Sequence, residues 1–183
     1  MAESFPPWPS PPPASGSIVL RAFTDDDVHL ALALGADPYV PHIGTLPAHP
    51  TREQAADWVR RQRERYTERT GLSFAVADAA TDRAVGTAGL SLRTMATGRA
   101  NAGYAVPLAH RGRGVASSAL RALTAFAWTI PELHRLELNI EPWNHGSVRV
   151  AESAGYEREG LLRSYQEING VRRDMLLYAT IRP

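Results

Sequence analysis

The chain of 183 residues is 44% hydrophobic and 21% charged, a composition typical of a globular domain that can bury a sizeable core. Its formal net charge of +1 creates no strong overall field, so the composition gives no support for nucleic-acid binding. The absence of cysteine excludes disulfides, thiolate metal sites and cysteine nucleophiles.

The first residues are rich in proline and lack both the basic and the apolar region of a signal peptide. We therefore expect residues 1–17 to form a disordered proline-rich leader and residues 18–183 to form one domain. No apolar run approaches the roughly 18 residues that a membrane-spanning helix needs. The sequence predicts a cytoplasmic protein without a membrane partner.

In chain order, the domain begins with a strand over residues 18–23 and a helix over residues 24–35 with aspartates in its first turn. Residues 37–50 contain four prolines, which exclude a regular element and are typical of a functional loop. A long helix follows from Thr51, which has capping-box spacing with Gln54. Three strands then cover residues 72–78, 85–93 and 100–108, and their short connections favour antiparallel pairing.

The second half of the domain is predicted to alternate helices and strands before a final hairpin. A glycine-containing loop opens a helix over residues 115–130, and a strand follows over residues 134–142. Asn144 can cap a short helix that ends at Gly155. The last two strands lie within residues 160–181 and meet at an Asn-Gly pair, a strong hairpin signal.

The loop before the helix at residue 115 contains Gly112 and Gly114, each next to an arginine. Glycines at a helix N-terminus let backbone N–H groups approach phosphate oxygens closely, although the same glycines could serve only a tight turn. A P-loop is excluded because the chain has no lysine. A dinucleotide-binding fingerprint remains an alternative, with Ser117 as its third small residue and Glu141 as its acidic partner.

A third pattern covers more of the chain. The segment from Arg111 to Ala116 resembles the [Q/R]-x-x-G-x-[G/A] element of the GCN5-related N-acetyltransferases. A later element, N-x-x-S…A-x-x-x-G-[FY], is matched by Asn144, Ser147, Ala151, Gly155 and Tyr156. The early strand and the closing hairpin are similar to the ribosomal-protein alanine N-acetyltransferase (RimJ/RimL) branch, so the resemblance extends over nearly all of residues 18–181.

The resemblance implies an α+β fold of three layers, with a mixed, mostly antiparallel sheet of six to seven strands flanked by helices. Two central strands of that sheet are expected to splay apart. It further implies an enzyme that uses acetyl-CoA as cosubstrate and acetylates a primary amine on a protein N-terminus or a small molecule. The implied reaction requires no metal and no nucleic acid. The resemblance leaves open whether the chain forms a homodimer.

The same resemblance implies roles for particular residues. The backbone N–H of Val106 is expected to stabilise the oxyanion, and Ser147 to act as general acid toward the leaving thiolate. Glu137 is the candidate general base, with Glu141 and Tyr104 as alternatives. The residues expected to bind acetyl-CoA are Ala105, Val106, Leu108, Arg111, Gly112, Arg113, Gly114, Val115, Ala116, Ser117 and Asn144.

Two other functions remain open from the sequence. The Gly112-x-Gly114 pair could belong to an NAD(P)-dependent oxidoreductase, which requires a parallel sheet of repeated strand–helix units. The chain could also be a CoA-binding module without catalytic activity. The oxidoreductase alternative predicts a parallel sheet. The binding-module alternative predicts the same mixed sheet as the acetyltransferase but no acetyl transfer.

Overall fold

The computed structural model describes residues 5–183, which form a mixed sheet with helices on both faces. The strands are β1 (Ala14–Ser15), β2 (Ile18–Arg21), β3 (Gly71–Asp78), β4 (Ala84–Ser91), β5 (Arg99–Ala105), β6 (Arg135–Ile140), β7 (Glu157–Ile168) and β8 (Val171–Ile181). The helices are α1 (Val28–Gly35), α2 (Val40–Ile43), α3 (Arg52–Thr67), α4 (Val115–Ala127) and α5 (His145–Ser153).

The eight strands lie in the order β1-β2-β3-β4-β5-β6-β8-β7. Among the pairs in the described residues, only β5 and β6 run parallel. This confirms the mixed, mostly antiparallel sheet and is incompatible with a dinucleotide-binding fold of parallel strands. The sheet has one strand more than predicted, because the two-residue β1 pairs with β2.

Alternating side chains of the sheet contact different helices. Leu72, Phe74 and Val76 of β3 belong to the same buried cluster as the apolar face of α4. Ala75, between them in sequence, packs with Trp58 and other residues of α1 and α3 on the opposite face. The molecule therefore has helix, sheet and helix layers, as expected.

Part of the proline-rich segment, for which we expected a disordered leader, contacts the domain. The ring of Trp8 lies edge-on to that of Tyr66 at 5.3 Å and at 4.8 Å from that of Phe74, and the Trp8 backbone N–H donates to the Tyr66 hydroxyl. Phe5 also contacts Tyr66, at 5.5 Å between ring centroids. Burial of these aromatic rings against the domain opposes the entropy that would favour a free leader. Residues 1–4 lie outside the described part.

Two further local predictions differ from the structure. Residues 37–50, predicted to be irregular, contain the single-turn helix α2, because Pro41 sits in its first turn, where the missing N–H has no consequence. β7 begins at Glu157, three residues before the predicted start. The turn at Asn169 and Gly170 has positive φ at both residues, as a two-residue hairpin requires.

No helix within residues 5–183 has the length and apolar character that crossing a bilayer requires.

Candidate active site

Strands β5 and β6 separate along their length at the centre of the sheet. Their parallel pairing ends at Asn101 opposite Glu137. β5 nevertheless continues to Ala105, and β6 continues to Ile140. The two strands therefore splay, as the family resemblance implied, and leave a V-shaped opening between two strand segments that do not pair with each other.

The glycine loop lies after β5 and leads into α4. Gly112 and Gly114 have φ angles of 73° and 76°, a left-handed conformation that glycine adopts without strain. A Cβ atom at either position would meet no protein atom within 4 Å. The glycines are therefore required by the backbone conformation, and the space in front of them is open.

Among residues 5–183, the first backbone N–H groups of α4 have no hydrogen-bond acceptor. Its N-cap is Gly114, which has no side chain to accept from the N–H groups of Val115, Ala116 and Ser117. The Ser117 hydroxyl accepts a hydrogen bond of 3.0 Å from Ser153 of α5. Free N–H groups at a helix N-terminus favour anions such as phosphate, so the residues present fit a pyrophosphate at this place.

The side chain of Arg111 points away from this loop, which differs from the expected phosphate contact. Its Nε donates to the carbonyl of Val106 at 2.8 Å, and its Nη2 lies 2.6 Å from Oδ2 of Asp37. Burial acts to raise the pKa of Asp37, but backbone donors from Tyr39 and Val40, together with Arg111, hold that pKa below its usual range. The guanidinium thus fixes the end of β5 to the connection between α1 and α2.

The same connection contacts the other side of the opening through Tyr39. The Tyr39 hydroxyl donates to Oε2 of Glu141, the residue after β6, at 2.6 Å. Glu141 is 4% exposed, and Nε of Arg173 lies 3.8 Å from its other oxygen. Burial and then the Glu141 carboxylate raise the pKa of Tyr39, so its hydroxyl stays protonated. Asp37 and Tyr39 therefore span the open end of the V.

Asn144 and Ser147 lie together at the start of α5. Asn144 is the N-cap of this helix, and its Oδ1 accepts from the backbone N–H of Ser147 at 3.1 Å. The hydroxyl of Tyr104, on β5, donates to the Ser147 carbonyl at 3.3 Å. Burial raises the pKa of Tyr104, which keeps its hydroxyl protonated. The structure thus places these three predicted residues on facing sides of the opening.

Glu137 and Val106 lie at opposite ends of the opening. Oε1 of Glu137, at the narrow end, is 2.6 Å from Nε of Arg135 and 3.9 Å from Nη1 of Arg99. Val106 follows β5 and is buried, and its backbone N–H donates to no protein atom within residues 5–183. The Val106 donor is therefore free for a ligand, whereas the Glu137 carboxylate already has two cationic partners.

The sequence pointed to residues 37–50 as a segment but did not single out Asp37 or Tyr39. Asp37 had a local signal, since an aspartate that accepts from backbone N–H groups two and three residues later forms a common turn. The contact of Tyr39 with Glu141 joins residues 102 positions apart, and no local pattern predicts it. Within the described chain, no group of three His, Asp or Glu side chains is arranged to hold a metal ion.

The sequence profile of the Acetyltransferase (GNAT) domain family matches residues 17–157. The chain belongs to this family. The matched range contains the splayed strands, the glycine loop and the start of α5. Apart from Arg173, the residues described for the site of this GNAT acetyltransferase lie inside the matched range.

Individual relatives resemble the GNAT acetyltransferase over most of its length. It is 27% identical over 165 residues to the uncharacterized N-acetyltransferase p20 of Bacillus licheniformis, which covers 90% of this chain and 93% of the relative. It is 36% identical over 121 residues to the probable N-acetyltransferase YjcK of Bacillus subtilis, at 66% and 67% coverage. The structure of Mycobacterium smegmatis RimJ in complex with CoA-disulfide is similar with a TM-score of 0.76 at 25% identity, covering 90% of this chain and 81% of RimJ.

Proposed function

We propose that this acetyltransferase transfers an acetyl group from acetyl-CoA directly to a primary amine, on a protein N-terminus or a small molecule, within a ternary complex. The observation that carries the proposal is the V-shaped opening with the glycine loop at its end. An extended pantetheine arm needs backbone partners along a channel, and its pyrophosphate needs N–H donors. The unpaired segments of β5 and β6 offer backbone partners for the arm, and the adjacent first turn of α4 offers N–H donors for the pyrophosphate.

The cosubstrate is bound mainly by backbone groups in this proposal. The segment from Ala105 to Leu108 contacts the pantetheine arm, and the N–H groups from Gly112 to Ser117 bind the pyrophosphate. Arg113, which is exposed, supplies the positive charge there, since the guanidinium of Arg111 is bound to Asp37. Asn144 uses Oδ1 for its helix cap, which leaves its Nδ2 to donate to the arm.

In the proposed reaction, the amine nitrogen forms a bond to the acetyl carbon and the carbon–sulfur bond breaks. The N–H of Val106 donates to the thioester oxygen as negative charge develops there. The hydroxyl of Ser147 gives a proton to the departing thiolate and regains one from solvent. The amine proton passes through water to Glu137 at the narrow end of the opening. Tyr104, protonated and next to Ser147, is the other group able to donate a proton here.

The test of this proposal is a calorimetric titration with acetyl-CoA of the wild type and of Gly114→Glu. A glutamate at this position brings a negative side chain into the space meant for phosphate, so we expect the variant to lose micromolar binding. Gly170→Glu is the matched control, because Gly170 also has positive φ and open surroundings but lies at the hairpin tip.

The same titration separates the alternative functions. Binding of NADH or NADPH in place of acetyl-CoA would support an oxidoreductase, and equal acetyl-CoA binding by Gly114→Glu would contradict the proposed phosphate site. If acetyl-CoA binds but no thiol is released with any of a panel of amines, the chain is a binding module without turnover.

We propose that the chain forms a homodimer through β7, an edge strand of the sheet. Leu161 and Tyr165 of this strand are 45% and 52% exposed, and an edge of this length presents free backbone partners. Sedimentation velocity should show a dimer for the wild type and a monomer for Tyr165→Lys. A wild-type monomer at micromolar concentration would contradict the proposal.

A further inference from the structure

A cavity of about 450 Å³ lies between β4, β5, α3 and the region of α2. Its floor is formed by backbone and small side chains of the two strands, including Gly89 and Gly103. Because Tyr104 and Ala105 line it, the cavity reaches the point where β5 has separated from β6. This cavity is therefore joined to the V-shaped opening.

The two ends of the cavity differ in chemistry. Val40 and Ala105 line the end that meets the opening. Ser91 and Asn101, paired across β4 and β5, line the other end together with Arg65 of α3. Four residue steps along β5 separate Ala105 from Asn101, which corresponds to about 13 Å.

Arg65 has no carboxylate within ion-pair distance among the described residues, in contrast to two other arginines of α3. Arg60 pairs with Glu64 at 2.6 Å, and Arg63 pairs with Asp25 at 2.7 Å. Burial and the nearby charge of Arg93 lower the pKa of Arg65, and Glu68 only partly offsets them. Arg65 thus lines the far end of the cavity, where an added negative charge would stabilise its guanidinium.

We propose that this cavity binds an acceptor whose carboxylate lies about 10 Å from the reacting amine, and that Arg65 recognises this carboxylate. The inference rests on the proposed acetyltransferase function, which places the amine at the Ala105 end. An extended peptide advances about 3.3 Å per residue, so its third residue reaches Arg65. The carboxylate comes from an acidic third side chain or from the C-terminus of a tripeptide.

The experiment compares four peptides as acceptors in a thiol-release assay. Ala-Ala-Glu amide against Ala-Ala-Gln amide tests the side-chain source, and Ala-Ala-Ala acid against its amide tests the terminal source. We expect the wild type to prefer the acidic member of at least one pair by about tenfold in kcat/KM, the size of one charge-assisted hydrogen bond. Equal rates within both pairs would overturn the inference.

Three variants assign the preference to a residue. Arg65→Gln should bring the acidic and neutral peptides to equal kcat/KM while KM for acetyl-CoA stays unchanged, and Arg65→Glu should favour Ala-Ala-Lys amide. Arg52→Gln is the matched control, since it removes the same charge from the first turn of α3, roughly 20 Å from Arg65 along the helix. An unchanged preference in Arg65→Gln would overturn the role of this residue.

A binding measurement separates failure of the inference from failure of the proposed function. Calorimetric titration of the CoA-loaded protein with the same peptides requires no turnover. If the acidic peptide binds more tightly than the neutral one but neither is acetylated, the cavity assignment stands and the proposed reaction fails. If the acidic and neutral peptides bind equally, or neither binds, the inference is overturned whatever the turnover.

Discussion

At the scale of single residues, Asp37 connects more of the site than its small side chain suggests. One of its oxygens accepts two backbone N–H groups, and the other is bound by Arg111, whose Nε holds the carbonyl of Val106. The hydrogen bond from Arg111 fixes the position of the Val106 carbonyl and leaves the Val106 N–H available to a ligand. Asp37 therefore acts as a positioning residue for the proposed oxyanion donor.

We predict that Asp37→Asn lowers the free energy of unfolding at pH 7 by roughly 1–3 kcal/mol, because Arg111 and two backbone donors lose a charged acceptor. The pKa of Asp37 is lower in the folded state than in the unfolded state, so the unfolded state takes up a proton first as the pH falls. The stability that Asp37 contributes is therefore complete above its unfolded pKa and is lost as the pH falls through its lower folded pKa.

Urea unfolding at pH 7, 5 and 3 measures this effect. The difference between wild type and Asp37→Asn should shrink as the pH falls, whereas the exposed Asp26→Asn should match the wild type throughout. A difference of the same size at pH 3 and pH 7 would show that the charge of Asp37 is not the cause.

Glu137 is the second residue that can be tested singly. We predict that Glu137→Gln lowers kcat more than tenfold with little change in KM for acetyl-CoA, since the amine loses its proton acceptor. Glu159→Gln is a matched control, because Glu159 is exposed and binds the other side of the same Arg135. Kinetics like those of the wild type from pH 6 to 9 would remove Glu137 from the mechanism.

The residues also show where sequence reasoning reaches its limit. Gly112, Gly114 and Asn144 could be located because a left-handed turn and a helix cap depend on neighbours in the chain. The side chain of Arg111 could not be oriented, because its partner Asp37 is 74 positions away. Local patterns thus identify a loop, and only the fold decides which way its side chains point.

At the scale of elements, the proline-rich segment behaves as part of the domain. Its prolines have little conformational freedom to lose, which lowers the entropy cost of packing Phe5 and Trp8 against Tyr66. The composition alone predicted disorder because six of the eight residues from 6 to 13 are proline. The aromatic partners that hold the segment lie far along the chain, on α3 and β3.

We predict that Trp8→Ala lowers the free energy of unfolding by about 2 kcal/mol, because the rings of Tyr66 and Phe74 lose a large apolar contact. Acetyl-CoA affinity should not change, since the part of the segment around Trp8 lies against the C-terminal half of α4 and the glycine loop precedes its N-terminus. Thermal and urea unfolding measure the loss, with Val171→Ala as a control at an exposed position. Stability equal to that of the wild type would mean that Trp8 contributes nothing to the folded domain.

At the scale of the whole molecule, the sheet topology was largely predictable. Short connections predicted the antiparallel pairing of β3, β4 and β5. The parallel step from β5 to β6 was covered only by the mixed sheet that the resemblance implied. The point at which β5 and β6 separate was expected from the family resemblance and not from the residues themselves. Where two strands stop pairing depends on the helices and loops on both sides, which a strand pattern does not describe.

The two edges of the sheet differ in their capacity to assemble. On one side, β1 has two residues, and the proline-rich segment before it offers few N–H groups to another strand. On the other side, β7 is 12 residues long and open. Growth from both edges would build an open filament, whereas pairing through one edge is self-complementary and closes after two copies. The prolines at the start of the chain thus limit the proposed assembly to a closed pair.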